Sequence, residues 1–234
     1  MKYCIVNVDD FGASRGINRA VVAAHCAGVV TSASLMVDQR AAAEAAELAA
    51  RHPRLSVGLH AQLTRDDGTP AFDFDNANAI AAELERQIEG FQKLLGRTPT
   101  HLDSHHNVHR QACLAPLFAA AARRRAIPLR DHSAVRWHGS FYAQWYGVTH
   151  PEQVTLASLR SMLEQFGDGV TELCTHIGYF DGVFESGYHV ERELELATIL
   201  DPRLPAVLSE LDIRLIGYAD VDHAGAIVTQ GGRQ

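Results

Sequence analysis

The chain has 234 residues, 47% of them hydrophobic, enough to bury a full core and within the size of one α/β domain. Lys and Arg number 21 against 28 Asp and Glu, and the basic residues are scattered apart from the run at 123–125, which reads as a solvated helix face and excludes a nucleic-acid footprint. The N-terminus MKYCIVNVDD turns acidic too soon for a signal peptide, and no apolar run is long enough for a membrane span, so a cytoplasmic protein is expected.

Residues 3–8 are β-rich and apolar on both parities, as in a strand buried on both faces of a parallel sheet. They end at Asp9 and Asp10. Ile17, Ala20, Val21 and Ala24 then recur at helical spacing before Gly28. The rhythm repeats with a strand at 33–37, an Ala-rich helix at 41–50 and a strand at 55–63 carrying His60. Residues 64–78 read as loop. A helix over 80–95 closes at Gly96, a short strand at 100–104 runs into HHNVH, and a helix at 114–126 precedes a strand at 127–130. Residues 131–149, rich in aromatics, fit no period and read as a loop or lid. A helix at 156–166, a strand at 170–175, helices at 190–200 and 205–211 and a strand at 214–218 complete about seven βα units in a single domain over 1–234.

Alternating strands and helices imply a parallel sheet, open or closed into a barrel, with function at the carboxyl ends of the strands. The polar oddities fall at those ends: Asp9 and Asp10, His60, Asp103 with His105 and His106, and His176. Thirteen histidines are the one compositional anomaly. Four cysteines without a CxxC read as reduced thiols rather than a disulfide frame or zinc knuckle.

Imidazole and carboxylate are the usual ligands of a divalent ion, and catalytic sites keep three protein ligands. Strand alternation sends Asp9 and Asp10 to opposite sides, so one ligand and one base is the natural division, with Asp10 the ligand and Asp9 the base. The alternative is that the pair simply caps the next helix or turn. HLDSHHNVH holds four histidines and one Asp in nine residues. Extended geometry there would put Asp103 and His105 on one side, with Asp103 orienting an ion-binding histidine. His101, His106 and His109 remain open between substrate contact, support behind the ligands and surface. His25, His52, His132, His138, His150, His189 and His223 read as surface or structural. Gly178, two residues after His176, permits close backbone approach.

Taken in order, VNVDDFGASRGINRAV, GVVTSASLMV, VGLHAQLT, RTPTHLDSHHNVH, PLRD, ELCTHIGYFD and SGYHVERELELATIL resemble the YdjC-type carbohydrate deacetylases over nearly the whole chain. The resemblance implies a distorted (β/α) barrel and one divalent metal held by Asp10, His60 and His105. It further implies Asp9 as general base, His176 as general acid and Arg130 as a contact to substrate or to the base. Zn²⁺ is favoured by ligand type, while the family resemblance also admits Mg²⁺. Asn107 stands where relatives often extend the histidine run, and Ile177 where they place proline.

The leading expectation is therefore metal-dependent removal of an N-acetyl group from an amino sugar or glycoconjugate. Two others stand beside it: an amide hydrolase acting on a non-sugar N-acylated metabolite, with the aromatic segment 137–146 forming an acyl pocket, and a catalytically silent metal-binding barrel. The partner is a small-molecule substrate. Oligomeric state stays open, with a homodimer as one arrangement.

Overall fold

The computed structural model describes residues 1–184 and 186–228. Its strands in chain order are β1 (Lys2–Phe11), β2 (Ser32–Leu35), β3 (Ser56–Ala61), β4 (Leu102–Ser104), β5 (Arg136–His138), β6 (Gln144–Trp145), β7 (Val148–Thr149), β8 (Gly169–Thr175) and β9 (Ile213–Leu215). Six strands lie side by side in the order β4-β3-β2-β1-β8-β5, and β9 pairs with the first residues of β1 on the edge whose far end takes β2. All of these pairings are parallel. Cys4, Ile5, Val6 and Val8 of the central β1 are all buried, which is why that stretch lacks alternation.

Helices α1 (Arg15–Cys26), α2 (Ala42–Arg51), α3 (Ala77–Leu95), α4 (Ala115–Arg124), α5 (Leu156–Glu164), α6 (Val190–Ile199) and α7 (Leu204–Glu210) surround the sheet. Their termini follow local chemistry. Ser14 accepts the Ile17 N–H at 3.2 Å to start α1, so the helix is capped by Ser14 and the Asp9–Asp10 pair is not spent on capping. Gly28 (φ 82°) and Gly96 (φ 67°) take the left-handed conformation just past α1 and α3, as expected of helix-ending glycines. Of the 123–125 run, Arg124 and Arg125 pair with Glu85.

The sheet curls into a distorted half-barrel, and one side chain demonstrates it. Arg130 lies just past β4, yet its guanidinium meets Asp9 of β1, Asp103 of β4 and Glu172 of β8. A flat sheet would hold β4 and β8 four strand spacings apart, roughly 19 Å. The expected strand at 127–130 contributes only one parallel bridge, Leu129 to Leu102. From there five residues lead to β5 at the other end of the row.

The aromatic segment expected to be loop is a correction: it contains β5, paired with β8 from Thr171 to Leu173, and the β6–β7 hairpin. Arg136, Trp137 and His138 show no apolar alternation because β5 is an edge strand whose conformation is set by pairing. Residues 64–78 hold one isolated bridge, Thr64 to Pro70, before α3 begins.

His101 is fully buried, stacked on the Tyr218 ring at 3.9 Å and bonded through Nε2 to Ser34 Oγ at 3.0 Å. Gly58 makes room for it, since a Cβ there would lie 2.4 Å from the imidazole. Burial pushes the His101 pKa down to about 4; Asp103 and Asp9 oppose this, while Arg130 and His60 reinforce it. The unfolded chain thus takes up a proton near pH 6.5 that the folded chain refuses until about pH 4. His101 should cost the fold about 3 kcal/mol as pH drops across that window, and no more below it. Urea unfolding of His101→Gln should show a correspondingly flatter loss of stability between pH 6.5 and 4.

Candidate active site and metal centre

The carboxyl ends of the strands open into a cavity of about 410 Å³ whose floor includes Asp9, Asp10, His60, His105 and His176, within the range of small-molecule sites. Both adjacent carboxylates reach it because β1 is irregular there. Its register with β2 shifts between Val8 and Phe11, and Asp10 has φ 65°, a left-handed conformation that Asp tolerates better than most residues. Simple alternation to opposite sides therefore fails, but the two carboxylates still diverge in their partners.

Asp10 faces the histidines. Its Oδ1 lies 3.3 Å from His60 Nε2 and 3.2 Å from His105 Nδ1, and the three potential ligand atoms lie within 4.8 Å of one another. Its Oδ2 accepts from Arg192 Nη2 at 2.6 Å. Pairing of β3 with β4 sets His60 beside Asp103, and His60 Nδ1 meets Asp103 Oδ1 at 2.7 Å. That contact aims Nε2 at Asp10, as a carboxylate does behind a metal-binding imidazole. The expectation that Asp103 would share a side with His105 is corrected here: the extended backbone ends at Ser104, and His105–Arg110 is a tight turn with His106 and Asn107 at φ 54° and 52°. The turn brings His105, His106 and Asn107 all to the cavity.

Asp9 faces the cations and donors of the barrel interior. Arg130 grips it with Nη1 to Oδ2 at 2.9 Å and Nη2 to Oδ1 at 2.7 Å, and Asn7 adds a donor at 2.9 Å. Of the two contacts expected for Arg130, the structure shows the one to Asp9. Arg130 also meets Asp103 at 2.8 Å and Glu172 at 2.6 Å, and the Tyr218 hydroxyl donates to Glu172 at 2.5 Å. His176 follows β8, with Nε2 3.8 Å from Asp9 Oδ2 and a side chain one quarter exposed.

Burial pushes all three aspartates toward the neutral form, and nearby cations overcome it. Arg130 and His60 hold Asp9 and Asp103 below the usual carboxylate range; Arg192, His105 and His60 hold Asp10 well below it. Burial also lowers His60, yet Asp9, Asp103 and Asp10 outweigh it and raise the imidazole to about 10. Glu172 is raised to about 7, chiefly by burial against the pull of Arg130. Three ionised aspartates are thus balanced by two buried guanidiniums and the protonated His60, and a divalent cation at His60 Nε2 would take the place of that proton.

Other trios could be drawn, Asp9–Cys174–His176 and Asp9–His60–Asp103, but both draw on Asp9, whose two oxygens Arg130 and Asn7 already engage. By contrast, among the described residues none hydrogen-bonds Asp10 Oδ1, where the two imidazoles converge. The Asp10–His60–His105 set fits a divalent cation, and its nitrogen-rich character suits Zn²⁺. Asp103→Asn should weaken Zn²⁺ binding about 10- to 100-fold in a competition titration against a chelating dye, because the His60 ring loses its anionic support.

Of the remaining sequence candidates, His106 borders the cavity and bonds Thr64 Oγ1 at 2.9 Å. Of the roles left open for His109, surface exposure is the one the structure removes: it is fully buried against Ser104 Oγ at 2.7 Å and does not line the cavity. All four cysteines are free, and Cys174 donates to Asp9 Oδ2 at 3.4 Å. Gly178 meets the expectation of close approach, since a Cβ would lie 3.1 Å from Ile17 and 3.2 Å from Arg192. Arg192 itself escaped the sequence reading. Its signal was present in VERELEL, where Arg192 and Glu195 share the helical stripe of Leu196 and Ile199, a place for charges only if they are paired.

Solved structures share this fold. A family 4 carbohydrate esterase from Streptomyces lividans superposes with a TM-score of 0.60 at 14% identity, covering 97% of each chain. A crystal structure from Enterococcus faecalis V583 reaches 0.79 at 25% identity, covering 93% of this chain and 97% of that one. The curled parallel half-barrel with polar strand ends thus defines the class. Within it the chain belongs to the YdjC-like protein family, whose model matches residues 3–210. Curated relatives include a carbohydrate deacetylase from Geobacillus stearothermophilus, 37% identical over 94% of this chain and 98% of that one. A chitooligosaccharide deacetylase from Yersinia pestis (strain Pestoides F) is 35% identical over 94% and 99%. No described helix is long and apolar enough to cross a membrane.

Proposed function

We propose that this protein is a metal-dependent hydrolase that removes the acetyl group from an N-acetylated amino sugar. The observation that carries the reading is the division of two adjacent carboxylates: Asp10 turned to His60 and His105, Asp9 locked by Arg130 and 3.8 Å from His176. The names of the curated relatives supply the substrate class, carbohydrate and chitooligosaccharide.

Asp10, His60 and His105 would hold the ion. When bound, a divalent cation lowers the pKa of a water and polarises the acyl carbonyl. The chain's own groups do the rest. Asp9, which borders the cavity and is kept ionised and fixed in place by the bidentate grip of Arg130, accepts the proton of the attacking water on a lone pair the guanidinium leaves free. Burial lowers His176 to about 4, against the pull of Asp9 and Asp10, so the resting imidazole is neutral. The proton it delivers to the departing amine is therefore one gained during turnover, and Asp9 Oδ2 is the nearest anionic oxygen to Nε2 to supply it. Trp137, Tyr142 and Tyr188 wall the cavity and suit the apolar face of a sugar ring.

The test is acetate release from N-acetylglucosamine oligomers by protein loaded with Zn²⁺ or Mg²⁺. Release that chelator abolishes supports the reading. Absence of acetate from every acetamido sugar, with turnover of longer N-acyl amides, would assign the aromatic wall to an acyl chain instead. Stoichiometric metal binding without any hydrolysis would reduce the protein to a binding barrel.

A further inference from the structure

The peptide groups of His176 are held from outside the sheet. β8 ends at Thr175, so the His176 N–H has left the strand ladder and needs another acceptor. Glu195 Oε2 takes it at 2.6 Å, while Arg192 Nη1 donates to the His176 carbonyl at 3.1 Å. Both come from one face of α6, three residues apart. Glu195 is fully buried, and its other oxygen accepts from the Tyr188 hydroxyl at 2.5 Å. That hydroxyl in turn accepts the Ala143 N–H at 2.7 Å, and the Tyr188 ring stacks on Tyr142 at 4.3 Å. Both tyrosine rings stand edge-on to the His176 imidazole, at 5.5 and 5.8 Å. One buried carboxylate thus joins the His176 backbone to the aromatic wall that packs on its ring.

We infer that Glu195 is a positioning residue for the general acid: it fixes the His176 backbone and, through Tyr188, the aromatic edges that set the imidazole's direction toward the leaving nitrogen. The inference rests on the acid role of His176 proposed above. Glu195 lines neither the cavity nor the Asp10–His60–His105 set; it acts through His176 and through Tyr188, whose ring also walls the cavity, so weaker sugar binding would appear in KM and a misplaced acid in kcat. In the step concerned, the C–N bond breaks, its electron pair goes to nitrogen, and the nitrogen takes the proton from the imidazole.

A leaving group that needs no proton separates positioning from general structural damage. Glu195→Ala should lower kcat on an N-acetylglucosamine oligomer about 10²-fold, the typical result of misplacing a catalytic group. It should change hydrolysis of 4-nitrophenyl acetate only a few-fold, because 4-nitrophenolate departs unprotonated. Glu195→Gln keeps an acceptor for the His176 N–H and should recover most of the amide activity. Zn²⁺ stoichiometry should stay at the wild-type value in both variants. Equal losses on amide and ester, or no loss in Glu195→Ala, would overturn the inference. The ¹⁵N–¹H imidazole signals of His176 in Zn²⁺-loaded protein give a reading independent of turnover. They should shift or broaden in Glu195→Ala and return toward wild type in Glu195→Gln; unchanged signals in Glu195→Ala would refute positioning. If wild type releases no acetate from any acetamido sugar, the proposed function fails, and the imidazole signals still decide what Glu195 positions.

Discussion

Asp9→Asn should lower kcat for acetate release by about 10²- to 10⁴-fold, the range a general base supplies. The amide is nearly isosteric, keeps a carbonyl for Arg130 or Asn7, and cannot accept the water's proton. Because Asp10, His60 and His105 are untouched, the loss should appear in kcat with a much smaller change in KM, as befits a group whose contribution is realised in the transition state. A loss below tenfold would remove Asp9 from the chemistry and leave it a purely structural partner of Arg130.

Arg130→Met should be the most destabilising single change in the site. The guanidinium is fully buried and meets Asp9, Asp103 and Glu172 at once, so its removal strands three carboxylates in the barrel interior. Breaking a buried ion pair in this way costs about 3–5 kcal/mol, which in a chain of this size lowers Tm by roughly 6–20 °C. Glu172, already raised to about 7 by burial, would take up a proton near neutral pH once its cation is gone. The variant should therefore recover part of its stability as pH falls from 8 to 6, the group being neutral in the fold and charged in the unfolded chain at those pH values. Differential scanning calorimetry across that range checks both the size and the sign. A Tm within 2 °C of wild type would show that Arg130 is not what makes the buried acids tolerable.

Much of this arrangement was legible in the residues. The apolar run before Asp9, the glycines after α1 and α3, and the alternation of strands with helices gave the parallel α/β sheet, since each is a local signal that tertiary packing reinforces, while its closure toward a barrel came from the family resemblance. Asp10, His60 and His105 stood out as polar residues at strand ends, and the family resemblance was what joined them into one proposed ligand set. Geometry that depends on the turn of the backbone was not. Nothing in DDFG announced the left-handed Asp10, and the tight turn at 105–110 overrode strand alternation, moving Asp103 from His105 to His60 and His109 into the interior. Arg192 and Glu195 were hidden by amphipathic periodicity, which counts charged residues as the outer face of a helix. The short β5 had no period of its own and exists through β8.

The central claim is that neighbouring carboxylates do different work, and metal content tests it most directly. Asp9→Asn and Asp10→Asn, each equilibrated with Zn²⁺ and passed through a desalting column, should differ sharply by elemental analysis. Asp9→Asn should retain close to one ion per chain, as wild type does, whereas Asp10→Asn should retain a small fraction of that. Loss of the ion from Asp9→Asn, or its full retention in Asp10→Asn, would contradict the division.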